Sequence, residues 1–261
     1  MWFVPSREME GTLIGYLGTI FTVLYFLSPV TTCFTIYKHR DVQKFSSVPF
    51  VVGVMNSSLW VYYCGITMQE TTQNLMPNIL VNGLGCVLFT AYIAIFLVYA
   101  SRKIVVIRQL AICGSAVALA VFLLEFTSPH LNLTFHWGGE SVPLKSSLCG
   151  VFIDLVNVAL YGSPLAVIST VIQSRSTQYM PWQISLLVFI VTCLWSIQGL
   201  LLDNIAIWLP NILGVLLGVL QLTLVIIFRD ARSPDQATVQ SGSSVAPLCD
   251  SNDEAQSAPL V

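Results

Sequence analysis

The sequence predicts an all-α membrane protein: seven transmembrane helices, arranged as two parallel triple-helix bundles joined by a linker helix in a 3+1+3 order. Three observations carry that expectation. The chain of 261 residues is 55% hydrophobic and only 9% charged, against roughly 25% charged for a soluble domain, and its mean hydropathy is +0.78. Seven apolar stretches are each long enough to cross a hydrocarbon core of ~30 Å, which takes ~20 residues of helix. The landmarks of the first half also recur in the second: Pro29 and Pro164, Arg40 and Arg175, Trp60 and Trp195 share one offset of 135 residues. A self-match at that distance indicates a duplicated multi-helix unit, since solenoid repeats run roughly 20 to 50 residues.

Residues 1–10 carry Arg7, Glu8 and Glu10 and no small-residue cleavage site after a short apolar core, so they are read as an extracellular N-terminus and not a signal peptide. The spans follow at Gly11–Ile36, Val48–Thr67, Pro77–Tyr99, Gln109–Phe126, Ser147–Ile172, Pro181–Leu202 and Ala206–Phe228. Backbone groups in lipid must be bonded within their own segment, which makes all seven helices. The fourth, with Gly114, Ala116, Ala118 and Ala120, has no counterpart in either repeat and serves as the linker. An odd helix between the repeats lets both take the same orientation in the bilayer. The boundaries are then 11–103 for the first bundle, 104–128 for the linker helix, 129–146 for an extracellular loop, 147–230 for the second bundle and 231–261 for a tail. That tail is rich in Ser, Pro, Gln and acid with no apolar period, the composition of a disordered cytoplasmic segment.

Basic residues set the orientation. Lys38, Arg40, Lys44, Arg102, Lys103, Arg108, Arg175, Arg229 and Arg232 fall on one side, leaving Arg7 and Lys145 on the other, so the N-terminus is expected outside and the C-terminus in the cytoplasm. Asn132-Leu133-Thr134 is a glycosylation sequon on the outer side of that topology. Asn56-Ser57-Ser58 is another, but inside a helix, where it is not expected to be modified.

Several classes of function are disfavoured. A net charge of −2 leaves no basic surface for nucleic acid. The seven cysteines have no Cys-x-x-Cys spacing, so neither a zinc site nor a disulfide scaffold is indicated; Cys64 and Cys149, near one membrane face, are read as packing residues. No phosphate loop, His-Glu-x-x-His or Gly-x-Ser-x-Gly motif occurs, and His39, His130 and His136 lie in loops. No enzyme chemistry, metal or cofactor is expected.

The remaining candidates are paired. Pro29, Pro49, Pro164 and Pro181 lie toward the cytoplasmic side, where proline removes a backbone bond and leaves a point of bending. Pro49 and Pro181 miss the common offset by three residues, nearly one helical turn. Trp60 and Trp195 offer two indole faces to a flat ligand or the C–H face of a sugar, although a lone tryptophan at that depth is usually an interfacial anchor. Asn82 and Asn211, at matched Asn-x-x-Gly positions that begin the third and seventh helices, offer donors and acceptors suited to hydroxyls. Bonding between helices is the plainer use of each carboxamide. Pro77-Asn78-Ile79-Leu80 repeats Pro210-Asn211-Ile212-Leu213, but Asn78 lacks the following glycine, so Asn82 is taken as the partner of Asn211. Asp154, deep in the fifth helix, is costly there if charged. It is a candidate proton relay, or else a hydrogen-bonding partner of Asn157 or of cavity water.

The segments Lys38–Pro49 (KHRDVQKFSSVP), Leu59–Tyr63 (LWVYY), Asn82–Cys86 (NGLGC), Tyr161–Leu165 (YGSPL), Gln178–Pro181 (QYMP) and Leu209–Gly214 (LPNILG), in this order, resemble the SWEET family of sugar transporters across roughly residues 10 to 230. The resemblance implies parallel repeats with a site at their interface near the midplane, and bidirectional sugar movement by alternating access. Trp60, Asn82, Trp195 and Asn211 would bind the sugar, and Pro29, Pro49, Pro164 and Pro181 would form the inner hinge. Thr22, Tyr25, Asn56, Asn157, Leu160 and Val191 match cavity-lining positions. Tyr25 is bulkier than its counterparts in disaccharide carriers, which points to a hexose. Tyr63 matches an outer-gate residue whose usual aspartate partner is Asn204 here, preceded by Asp203, and Phe89 stands where an acid is frequent. The expected partners are a mono- or disaccharide, the lipid bilayer and possible further copies of the chain; the expected site of action is the plasma membrane. Two competitors stay open. One is a proton-coupled amino-acid carrier of the related PQ-loop group, although Phe50 and Trp182 stand where that group has glutamine. The other is a seven-helix signalling receptor, which the duplication does not explain.

Overall fold

The structure, a computed structural model, describes residues 6–43, 45–127, 134–137, 140–160, 162–177 and 180–228. Asn132, Lys44, Arg229, Arg232 and the tail 231–261 lie outside the described residues. Among those described, the elements in order are α1 (Arg7–Leu27), α2 (Val30–His39), α3 (Val48–Glu70), α4 (Met76–Tyr99), α5 (Lys103–Thr127), β1 (Thr134–Trp137), β2 (Glu140–Pro143), α6 (Leu144–Leu160), α7 (Gly162–Ser174), α8 (Trp182–Leu201) and α9 (Ile205–Phe228). Six continuous runs are long and apolar enough to cross a membrane, the first being α1 with α2, Arg7–His39. The stretch expected as the fifth span falls on α6 and α7, with Tyr161 outside the described residues.

Three differences from the sequence reading have clear causes. The first span is two helices. At Ser28-Pro29 the proline has no N–H to continue the ladder. The carbonyls released there are bonded otherwise: Tyr25 accepts from the Ser28 N–H at 3.1 Å, and Phe26 from the Tyr92 hydroxyl of α4 at 2.9 Å. Three of the four prolines are therefore not interior kinks. Pro29 and Pro181 are the caps of α2 and α8, and Pro49 is the second residue of α3, positions where a missing N–H costs nothing; Pro164 lies in α7, three residues after Tyr161, which is outside the described residues. The proline buried inside a helix is Pro210 of α9. The segment 129–146, read as a loop, contains the antiparallel ladder β1–β2, with Thr134 opposite Pro143 and Trp137 opposite Glu140. Its alternating Thr, Phe, His and Trp suit a short hairpin.

The repeat is visible in the backbone as well. Arg40 and Arg175 each follow the end of a short helix, α2 and α7, and both adopt left-handed φ, 57° and 50°. Glycine is the usual residue there. Arg40 is held by its side chain, which donates to the Tyr99 hydroxyl at 2.6 Å and lies 4.7 Å from the Tyr37 ring centroid.

Packing joins α1 to α4, α4 to α3, α3 to α6, α6 to α9, α9 to α8 and α8 back to α1, a closed ring of six helices, with α5 outside it against α3, α4 and α6. Two seams of the ring, α1–α8 and α3–α6, join the halves. The α1–α8 seam is close because α1 presents Gly11, Gly15 and Gly18 to Leu202, Gln198 and Trp195, spacing that brings membrane helices together. The linker is tied at both ends: Ser47 donates to Gln109 at 2.7 Å, and Glu125 accepts from Tyr62 and pairs with Lys145, each at 2.7 Å.

Buried apolar residues divide unequally between the two ends of the ring. Near the Arg7 end one core takes members from both halves, among them Leu59, Tyr63 and Cys64 with Cys149, Ile153, Leu202 and Ile207. Near the four prolines there are two separate cores, one around Ile36, Phe50, Tyr92 and Phe96 and one around Ile168, Val171 and Leu224. Cys64 and Cys149 are both fully buried and free.

Candidate functional site

A cavity of about 190 Å³ lies inside the ring, walled by α1, α3, α4, α6, α8 and α9. At ~30 Å³ per water in the liquid, it has room for about six waters or one small polar molecule. Trp60, Asn82, Trp195 and Asn211 all line it, as do Thr22, Tyr25, Asn56, Asn157 and Val191. Leu160 ends α6, and its side chain lies outside the described residues.

Each half supplies the same two groups from the same local structure. Asn82 and Asn211 do not begin their helices. Each is the seventh residue of its helix, α4 from Met76 and α9 from Ile205. Each carboxamide donates one N–H to the carbonyl one turn back, Asn82 to Asn78 at 2.9 Å and Asn211 to Ile207 at 2.7 Å. That bond fixes the amide plane and leaves the second N–H and the oxygen for a ligand.

The tryptophans are held differently. Trp195 donates its indole N–H to the Thr22 hydroxyl at 2.9 Å, and its ring covers Gly18, where a Cβ would come within 3.3 Å. Trp60 stands edge-on to Tyr63, ring centroids 5.6 Å apart at 89°. The two faces are thus fixed, one by a hydrogen bond and one by an aromatic neighbour.

The offset of 135 pairs Thr22 with Asn157 and Asn56 with Val191, so the walls facing each other across the cavity are chemically unequal. Asn56 Oδ1 is buried with no partner, an acceptor whose desolvation would be relieved by a donor from a ligand.

Tyr63, on α3, donates to Asn204 Oδ1 at 2.9 Å, and Asn204 in turn donates to Gln73 Oε1 at 2.8 Å. These bonds cross from the first half to the second at the Arg7 end, which we call the gate end. Asp203 is not in that contact: it is exposed and 3.7 Å from Arg7. Ser146 also bonds Glu70 across the halves there. A double-mutant cycle of Tyr63→Phe with Asn204→Ala should return a coupling of about 1 kcal/mol in the thermal stability of the purified protein, the size of one such bond; zero coupling would detach the pair from the gate.

Asp154 lies toward the gate end. It lines a second cavity, of about 300 Å³, with Thr67, Gln73, Gly150 and Leu209 at the gate end. Its Oδ1 is buried and unbonded, and it is not among the residues of the central cavity. The sequence reading had missed Phe26, Val81, Ile207 and Pro210, which also wall the central cavity, and it set Asn78 aside although Asn78 lines it too. The exact tetrapeptide repeat around Asn78 was the available signal. Gln198, fully buried and bonded to Asn78 at 3.0 Å, also had one, since the offset of 135 pairs it with Tyr63.

Comparison with known proteins places this geometry. Residues 12–104 and 147–233 match the family described as "Sugar efflux transporter for intercellular exchange", leaving out the linker helix. Similar proteins include the bidirectional sugar transporters SWEET16 of Arabidopsis thaliana, 31% identical over 84% of this chain and 89% of that one, and SWEET17 of the same plant, 32% identical over 84% and 86%. SWEET1b of Oryza sativa subsp. indica is 33% identical over 86% of this chain and 81% of its own. A solved structure of a eukaryotic SWEET transporter superimposes with a TM-score of 0.74 at 29% identity, covering 85% of this chain and 98% of that one.

Proposed function

Since the chain belongs to the SWEET family of sugar transporters, we propose that it is a facilitative, bidirectional uniporter of a glucose-like hexose, acting at the plasma membrane with its N-terminus outside. The observation that carries the reading is the central cavity, where each repeat contributes one indole and one carboxamide anchored to the carbonyl a turn back, among five carboxamides in all. The apolar C–H face of a pyranose packs on Trp60 and Trp195, and its hydroxyls bond the free amide positions of Asn82 and Asn211. Tyr25, walling the same space, limits its length and favours a monosaccharide over a disaccharide.

The gate end is the extracellular end, closed by Tyr63, Asn204 and Gln73. The proline end, with its two separate cores, is the cytoplasmic end, and sugar crosses it in either direction. Reorientation parts the α1–α8 and α3–α6 seams at the gate end and brings the halves together at the other, flexing at Pro29, where α1 gives way to α2, and at its counterpart Pro164. Asp154 lies outside the central cavity but shares the gate-end cavity with Tyr63 and Asn204, so the Asp154→Asn variant tests whether it takes part in transport.

Labelled-hexose uptake into vesicles holding the purified protein tests the reading. Saturable uptake that persists when the pH gradient is collapsed, and in Asp154→Asn, is expected. Uptake that requires the gradient and disappears in Asp154→Asn would replace it with a proton-coupled carrier; the absence of any hexose uptake would remove it.

A further inference from the structure

Between the gate and the tryptophans lies a second contact across the halves. Gln198, on α8, is fully buried and donates to Asn78 Oδ1 of α4 at 3.0 Å. The space for its amide comes from Gly15 of α1, where a Cβ would fall on the Gln198 amide group and 3.1 Å from the Pro77 ring. The other end of the Gln198 amide, Oε1, is buried without a partner. Asn78 itself reaches the central cavity, and its backbone carbonyl is the atom that Asn82 holds. One residue is therefore gripped by the opposite half through its side chain and by the sugar-site amide through its backbone.

We propose that Gln198 and Asn78 form a substrate-responsive latch: sugar hydroxyls take over the amide–amide bond as the halves part, so the loaded carrier reorients faster than the empty one. This rests on the uniporter reading above. Opening the gate end must separate α8 from α4 and break the bond. In the empty carrier nothing but water entering a narrow apolar seam can replace it, and a buried amide left bare is costly. With a sugar one helical turn away, at Asn82, a hydroxyl can accept from Gln198 or donate to Asn78 Oδ1 at the moment of parting. The ligand then interacts more strongly with the transition between states than with either state, which is the condition for speeding it. Gln198 does not line the cavity in this state and meets the sugar only as the halves part, beside Asn78, which does line it; neither Tyr63 nor Asn204 of the gate bond lines it.

The test compares two fluxes of labelled hexose in vesicles, exchange with sugar on both sides and net flux into sugar-free vesicles. Wild type should exchange about fivefold faster than it makes net flux, the factor that one amide hydrogen bond carries. In Gln198→Met, which keeps the bulk and loses the bond, the ratio should fall to about one, with net flux rising. Gly15→Ala, which displaces the Gln198 amide without changing either partner, should do the same and decides the matter where Gln198→Met fails to fold. A ratio of one in wild type, or an unchanged ratio in the variants, overturns the latch while leaving the uniporter reading in place. A wild type that carries no hexose at all overturns both.

Discussion

Replacing Asn211 and Trp195 together with alanine should lower hexose uptake at subsaturating sugar by about a hundredfold. The estimate follows from what each supplies. The Asn211 amide is anchored to the Ile207 carbonyl at 2.7 Å, so its remaining N–H and its oxygen can make about two bonds to hydroxyls, each worth ~1 kcal/mol net. Loss of the Trp195 face removes about another 1 kcal/mol of ring contact. About 3 kcal/mol in all corresponds to roughly two powers of ten. Trp195 also donates to Thr22, so Trp195→Phe separates the two contributions: it keeps a ring and drops the bond, and should fall between wild type and the double variant. Uptake rates together with a melting curve in detergent check the result, because the double variant must remain folded for the loss to count. Full uptake by a folded double variant would move the sugar site elsewhere.

The largest effect on folding is expected at Gly199. A Cβ there would come within 2.6 Å of the Trp208 backbone nitrogen, 2.9 Å of its Cβ and 3.0 Å of the Ile207 Cβ. The backbone cannot retreat, because the tight connection from α8 to α9 is closed by the Asn204 N–H bonding the Gly199 carbonyl at 2.8 Å. Overfilling a well-packed contact costs typically 1–3 kcal/mol, and a rigid backbone neighbour puts Gly199→Val at the upper end or beyond. Gly83 provides the contrast. It lies mid-helix in α4 with no atom within 4 Å of its Cβ position, so Gly83→Ala should be neutral or stabilise by up to ~1 kcal/mol. Melting temperatures of the two variants decide it; equal tolerance would mean that α8 and α9 do not approach as described.

Much of this was legible in the sequence, for identifiable reasons. Apolar length, the repeat of Pro, Arg and Trp at one offset and the matched Asn-x-x-Gly motifs depend on covalent order alone, and they carried the helix content, the choice of Trp60 and Trp195, and the choice of Asn82 and Asn211. Contacts that depend on how the halves meet were not legible. The sequence placed the site where two bundles meet but not which helices meet there: α1 packs along α8 and α6 along α3, and the glycines of α1 that make this possible are unremarkable until their partners on α8 are known. Asp154 was read as a proton relay or as a partner of Asn157 or cavity water, and it lines the second cavity while Asn157 lines the central one. Three residues along an α-helix is most of a turn but not a whole one, and that angle turns the acid toward the second cavity.

Only two of the six seams of the helix ring join the halves, and at the gate end these share one core while the proline end keeps two. A carrier built this way swaps one set of mutual contacts for another as it rocks, with no bound nucleotide or ion gradient needed to bias the exchange. The two access states can then lie close in free energy, and the direction of net movement is left to the concentrations on either side. Substitutions confined to one end tilt that balance: strengthening the shared core would favour release at the proline end, and weakening it would favour capture at the gate end. The duplication thus makes the protein resemble a seesaw whose arms were once identical, with flux reversible because neither arm is much the heavier.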